Sequence, residues 1–138
     1  MRWVKVEIPV RYVECDPMGV VHHSNYFSWF EVGRVQLATE AGLNLEKASR
    51  KLFMPVININ CNYKSSAKFG ETVIVETALV KPKKAYLHFE YRVYRKYGRK
   101  LLVKGSSEHA FTRTDGTLIL KLPDDIKQKI DIFLGGVS

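Results

Sequence analysis

At 138 residues, with 46% hydrophobic and 26% charged side chains, the chain has the size and composition of one folded domain and not of a disordered polymer. No uninterrupted apolar run approaches the ~18 residues a membrane span requires, and the opening MRWVKVEIPV lacks the apolar core of a secretion signal, so a cytoplasmic protein without membrane insertion is expected. The net charge of +8 favours anionic partners, while Cys15 and Cys61, without CxxC spacing, make a poor disulfide framework and a poor zinc site.

The first predicted element is a strand. Val4, Val6, Ile8, Val10 and Tyr12 alternate with Trp3, Lys5, Glu7 and Arg11, the period of a half-buried strand. Pro9 cannot donate to a ladder, so this strand should lie at an edge or carry a bulge. It stops at the Asp16-Pro17-Met18-Gly19 turn. A helix is predicted from about Ser24 to Ala41, capped by Ser24 or Asn25 and ended by Gly42. Its apolar residues, among them Tyr26, Trp29, Phe30, Val32, Val35 and Leu37, cover more than one stripe, so it should be buried on most sides. An i,i+3 pair between Glu31 and Arg34 is expected on its surface.

The remainder reads as strands. Residues 56–64 set Ile57, Ile59, Cys61 and Tyr63 against a stripe of Asn58, Asn60 and Asn62; residues 72–81 are a β-branched run; residues 85–96 set Leu87, Phe89, Tyr91 and Val93 against Tyr86, His88, Glu90 and Arg92. A strand from about Leu101 to Thr114 should turn at Asp115-Gly116 into Leu118–Leu122. A short helix capped by Asp124 follows, with Ile126, Ile130, Phe133 and Leu134 on one face. Strand, long central helix, then four or five mainly antiparallel strands implies an α+β fold in which a curved sheet wraps one helix. A doubly wound fold lacks its crossover helices here.

Two regions carry candidate chemistry. From Lys81 to Lys104 nine basic residues face one acid, Glu90, which suits either a polyanion site or a solvated hairpin. The segment D-P-M-G-V-V-H-H-S-N-Y, residues 16–26, joins the first strand to the helix. There a carboxylate sits on a turn, Gly19 permits close backbone approach, and the helix N-terminus offers unpaired amides and partial positive charge. A carbonyl held between those amides and that carboxylate is polarised at oxygen and attackable at carbon, the arrangement that thioester hydrolysis needs. His22, His23, His88 and His109 show no metal-ligand spacing.

That segment resembles the signature of the 4-hydroxybenzoyl-CoA thioesterase family, in the branch that holds the Tol-Pal-associated acyl-CoA thioesterases. RYVEC before it, YFSWFEVGR within the helix and YKSSAKFGETVIVE beyond it are also similar to the family. The resemblance implies that residues 1–138 form a single hotdog thioesterase domain, with a long central helix wrapped by a curved, mainly antiparallel five- to six-stranded sheet. It implies an acyl-CoA thioesterase that releases free acid and CoA, with Asp16 as nucleophile through an acyl-enzyme anhydride or as general base on water. It implies that the backbone N–H of His23 faces the thioester oxygen, and that Gly19 and Tyr26 contribute to substrate binding. It further implies a dimer or tetramer with sites at the subunit interface, CoA phosphates held by surface basic residues, and no metal or redox cofactor.

Two other readings compete. Hotdog dehydration of hydroxyacyl chains calls for a Pro-Gly segment beside a His, which the chain lacks. A non-catalytic binder of an acyl carrier protein or of nucleic acid, acting through residues 81–104, would rest on charge alone. No nucleic-acid motif accompanies that charge, and the aromatics there follow strand alternation as core residues do.

Overall fold

The computed structural model describes residues 1–43 and 52–135. In chain order it contains β1 (Trp3–Pro9), a 3-10 turn (Tyr12–Glu14), α1 (Asn25–Glu40), β2 (Leu52–Phe53), β3 (Val56–Tyr63), β4 (Thr72–Val80), β5 (Tyr86–Arg95), β6 (Leu101–Ala110), β7 (Thr112–Arg113) and α2 (Asp124–Phe133). Five strands form one antiparallel sheet in the order β1-β4-β5-β6-β3, and β2 pairs with β7. Pro9 closes β1 at the sheet edge, opposite Thr72, where its missing N–H costs no ladder bond.

The register explains which face α1 covers. Val6, Val75, Val93 and Val103 stand in one row, and Val4, Thr77, Tyr91 and Gly105 in the next. Phe30 of α1 stacks on Tyr91 at 4.2 Å between ring centres and 6° between planes. Glycine makes this approach possible twice. A Cβ on Gly105 would lie 2.6 Å from the Phe30 ring, and one on Gly33 would lie 2.1 Å from Thr77 Oγ1. Burial of Trp29, Phe30, Leu37, Leu79, Leu87 and Leu102 completes the core, each such side chain contributing roughly 1.5–3 kcal/mol.

The helix departs from expectation in four ways. It has 16 residues, about 24 Å, so it is not long. It is also not enclosed: Val32 and Val35 are 44% and 48% exposed, because one five-stranded sheet covers only one side of a cylinder. Arg34 does not pair with Glu31; it donates to the Tyr91 hydroxyl at 3.0 Å, turning under the helix instead of along it. Ser24 occupies the N-cap position without a side-chain capping bond, and its hydroxyl meets His22 Nδ1 at 2.8 Å. Gly42 ends the helix with φ +76°, as expected.

Near the C-terminus the sequence pattern overstates the sheet. Asp115-Gly116 does form its turn, with Arg113 N donating to Thr117 O at 2.8 Å. The strand breaks after Ala110, however, and its two-residue continuation β7 turns to pair with β2. Leu118 is left with a single bridge to Thr112, and Leu120 is 82% exposed. Pro123, not Asp124, takes the N-cap position of α2. Its Ile130 and Phe133 are buried on the expected face, and Arg2 fastens the chain's beginning to it by a bond to Phe133 O at 3.0 Å. No helix among the described residues is long and apolar enough to cross a membrane.

Candidate active site

The Asp16 turn is built by backbone. Cys15 bridges Val21 and Val20 bridges Lys68, closing the loop at both levels. Within it Asp16 N donates to Val20 O at 2.8 Å and Gly19 N to Asp16 O at 2.9 Å. Gly19 holds φ +81°, a value that suits a residue without Cβ. Asp16 Oδ1 accepts from Met18 N at 2.8 Å and Val20 N at 3.3 Å, which fixes the carboxylate's direction. Its second oxygen has no partner among the described residues, and the residue is half-buried.

The helix start is tied to that turn through one carbonyl. Glu14 O accepts His22 N at 2.9 Å and the Asn25 side-chain amide at 2.8 Å. His23 O accepts the Tyr63 hydroxyl at 3.0 Å, and the His23 N–H has no partner among the described residues. The His22 and His23 rings stack at 4.2 Å and are exposed. Asp16, Gly19 and His23 therefore gather about one end of α1. Tyr26 does not join them at the surface. It is 2% exposed, its hydroxyl accepts Ala67 N at 3.1 Å, and its ring meets Trp29 and Tyr63 edge-on, so it packs beneath the site.

The phenols and the thiol packed around this end are poor bases. Burial pushes the Tyr26 hydroxyl and the Cys61 thiol up, and burial together with Cys61 pushes the Tyr63 hydroxyl up to about 12. All three stay protonated at neutral pH. Cys15 donates to Arg11 O at 3.6 Å and is likewise half-buried.

Two features were not legible in the sequence. Glu14 is 4% exposed while its neighbours Tyr12 and Val13 are 77% and 78% exposed, the reverse of their hydropathy. Its carboxylate accepts Arg11 N and the Trp29 indole N–H, each at 2.8 Å. The second is a buried chain under the middle of α1: Arg34 donates to Tyr91, and the Tyr91 hydroxyl, Ser107 and His109 Nε2 are linked in turn. Burial and then the charge of Arg34 lower His109 from 6.5 to about 4, so its ring is neutral, and its Nδ1 is buried without a partner among the described residues.

The basic stretch is not one surface. Arg92 pairs with Glu76 at 3.1 Å and lies over Trp3, Arg95 pairs with Glu71 at 2.8 Å, and Lys96 pairs with Glu7 at 2.8 Å. Lys81, Lys83 and Lys84 instead join Lys121 and Lys127 around a cleft of about 710 Å³ floored by Leu122 and Ile130. This cleft lies beyond the Val80 end of β4, whereas Glu71 and the Asp16 turn adjoin the other end. His88 and His109 lie apart from the stacked His22–His23 pair, and among the described residues no cluster of three His, Cys, Asp or Glu could hold a metal ion.

A sequence model of the Thioesterase-like superfamily matches residues 10–130. The protein named "Putative acyl-CoA thioesterase YneP" of Bacillus subtilis (strain 168) is 38% identical over 106 residues, 76% of either chain. The crystal structure of a DHNA-CoA thioesterase from Staphylococcus aureus is 29% identical with a TM-score of 0.85, covering 100% of this chain and 97% of that one. A 4-hydroxybenzoyl CoA thioesterase structure shares the fold at 18% identity and a TM-score of 0.83, covering 94% of this chain and 99% of that one. The chain, an antiparallel sheet packed on α1, is thus matched over most of its length, and it belongs to the Thioesterase-like superfamily of hotdog-fold thioester hydrolases.

Proposed function

We propose that residues 1–138 act as a single hotdog domain that hydrolyses acyl-CoA thioesters at the Asp16 turn. The observation that carries this reading is the Glu14 carbonyl, which ties the carboxylate's loop to the start of α1. The thioester carbonyl oxygen lies against the His23 N–H, with Gly19 leaving room for it and Tyr26 supporting the floor. Helix-end amides stabilise charge there as it develops. Asp16 either attacks the carbonyl carbon, forming an anhydride that water then opens, or takes a proton from water that attacks directly. In both routes the carbon–sulfur bond breaks, the thiol of CoA leaves with a proton, and the acid is released. The Tol-Pal-associated branch is the assignment we favour within the family, on the motif of residues 16–26.

The assembled enzyme is a dimer or tetramer. Among the described residues β3 is a sheet edge without an outer partner, and Val56 and Ile57 are 46% and 52% exposed; an uncovered edge is a template for pairing. Two β3 edges pairing antiparallel reverse one sheet against the other. The partner's lysine cleft then comes to the same end of the assembly as this chain's Asp16. Five ammonium groups above an apolar floor suit the phosphates and adenine of CoA. The two free thiols suit a reducing, cytoplasmic location.

A panel of acyl-CoAs with thiol detection, run on wild type and Asp16→Ala, tests the reading. Wild type should release CoA, and the variant should lose roughly 10²–10⁴-fold in kcat. A folded Asp16→Ala variant with full turnover rejects the assignment. Single turnover in heavy-oxygen water separates the two routes, since attack by Asp16 delivers protein oxygen to the acid.

A further inference from the structure

We infer that Glu14 is the positioning residue of this site, holding the Asp16 turn in register with the amides that open α1. The inference rests on the reading of Asp16 and His23 proposed above and deepens it. Four hydrogen-bond donors converge on Glu14, and the Arg11 guanidinium lies 3.5 Å from its Oε1 as an ion pair. Oε1 takes Arg11 N and Oε2 takes the Trp29 indole, while its carbonyl takes His22 N and the Asn25 side chain, all between 2.8 and 2.9 Å. These donors belong to the strand exit, to the loop after the turn, and to two positions on the helix.

The choice of residue argues against a simple plug. A carboxylate buried to 4% exposure beside two exposed apolar neighbours works against hydrophobic burial, and is tolerable only with its donors in place. An apolar side chain would fill the same space without that requirement. What the carboxylate adds is direction: its two oxygens pin the chain before the turn to the indole of the helix's second turn. Its carbonyl pins the chain after the turn. Asp16 is two residues on, within about 7 Å of Glu14 along the backbone, so loosening Glu14 shifts Asp16 against the His23 amide. Misplacement of about 1 Å can reduce turnover on the order of 10²-fold. Glu14 does not itself touch the thioester.

The test is steady-state kinetics on the best acyl-CoA of the panel, per folded enzyme, for Glu14→Gln, Asn25→Ala, Asp16→Asn and the Glu14→Gln/Asp16→Asn pair. Glutamine keeps the volume but offers one acceptor where two donors point. Glu14→Gln should lower kcat at least ~10-fold with KM changed less than ~3-fold, because positioning acts on the transition state. In the Asp16→Asn background it should add far less than its own factor, as coupled residues do. Asn25→Ala leaves the carboxylate and both its donors untouched and should lower kcat about 3-fold or more by the same route. Wild-type kcat in folded Glu14→Gln, or a loss that multiplies fully with that of Asp16→Asn, overturns the role. If Glu14→Gln does not fold, Asn25→Ala decides, and unchanged kcat there overturns it. Should wild type hydrolyse no acyl-CoA, or Asp16→Asn remain fully active, the thioesterase reading itself fails and this inference with it. An active wild type and a crippled Asp16→Asn beside an unaffected Glu14→Gln reject Glu14 alone.

Discussion

At the start of α1, polar groups are fastened by backbone and leave an oxygen of Asp16 and the amide of His23 unclaimed among the described residues. Under the middle of the same helix, Arg34, Tyr91, Ser107 and His109 claim one another, and Ser107 and His109 are each 1% exposed. The second group holds a hydroxyl beside a neutral imidazole, which by residue type looks more like a hydrolase site than a lone carboxylate on a turn. By register the two are close: Tyr63, which holds His23 O, stands opposite Val103, and Ser107 is four residues further along β6, roughly 13 Å. What separates them is exposure of uncommitted groups. Chemistry on a substrate needs positioned, uncommitted donors and acceptors that a substrate can reach, whereas a dry chain of hydroxyl and imidazole, its one unpartnered atom His109 Nδ1 sealed in the core, is cohesion.

The largest expected effect breaks or upholds that contrast at its first member. Asp16→Asn, which keeps an oxygen to accept Met18 N, should lower kcat by about 10²–10⁴-fold while thermal unfolding moves by only a few degrees. The buried chain should behave in the opposite sense. His109 is lowered from 6.5 to about 4 in the folded protein, so the unfolded chain binds its proton more tightly. Its contribution is therefore complete above pH 6.5 and is lost as pH falls toward 4, on the order of 3 kcal/mol in all. Chemical denaturation of wild type and His109→Gln across that range should show a shallower acid slope in the variant. Equal slopes would mean that the ring is not held neutral.

Ser107→Ala should cost on the order of 2 kcal/mol, since the Tyr91 hydroxyl and His109 Nε2 lose their shared partner. Turnover per folded enzyme should not change, and a loss of kcat without loss of stability would erase the distinction drawn between the two groups. Gly33→Ala should destabilise by about 1–3 kcal/mol through contact with Thr77 and Val75, lifting α1 off β4. The smallest effect belongs to the lysine cleft. Charge reversal by Lys83→Glu or Lys84→Glu should raise KM for acyl-CoA several-fold, more strongly at low salt, and leave kcat nearly unaltered.

By itself the sequence determined the parts whose causes are local. Alternation over residues 85–96 placed Leu87, Phe89, Tyr91 and Val93 inward, because successive strand side chains must point to opposite faces. Pro9 limited β1 to an edge or a bulge by its missing donor, of which the structure takes the edge, and Gly42 ended α1 through its freedom at positive φ. The Asp16–Gly19 turn was readable from its residue types, and the resemblance of residues 16–26 singled out Asp16, Gly19, His23 and Tyr26 before any contact was known.

Tertiary structure alone decided whatever depends on partners distant in sequence. Arg34 finds Tyr91 fifty-seven positions away in preference to Glu31 three positions away, a competition that no local pattern records. Glu14 goes inside because Trp29, a turn into the helix, offers it a donor, and Tyr12 and Val13 stay outside by default. Leu118–Leu122 has strand character but pairs only with residues 111–112, through the Thr112–Leu118 bridge and the Ile119 N bond to Phe111 O, since a ladder needs two members whatever the propensity of one. Composition and period settle what each segment prefers; the packing of all segments at once settles which preferences are met.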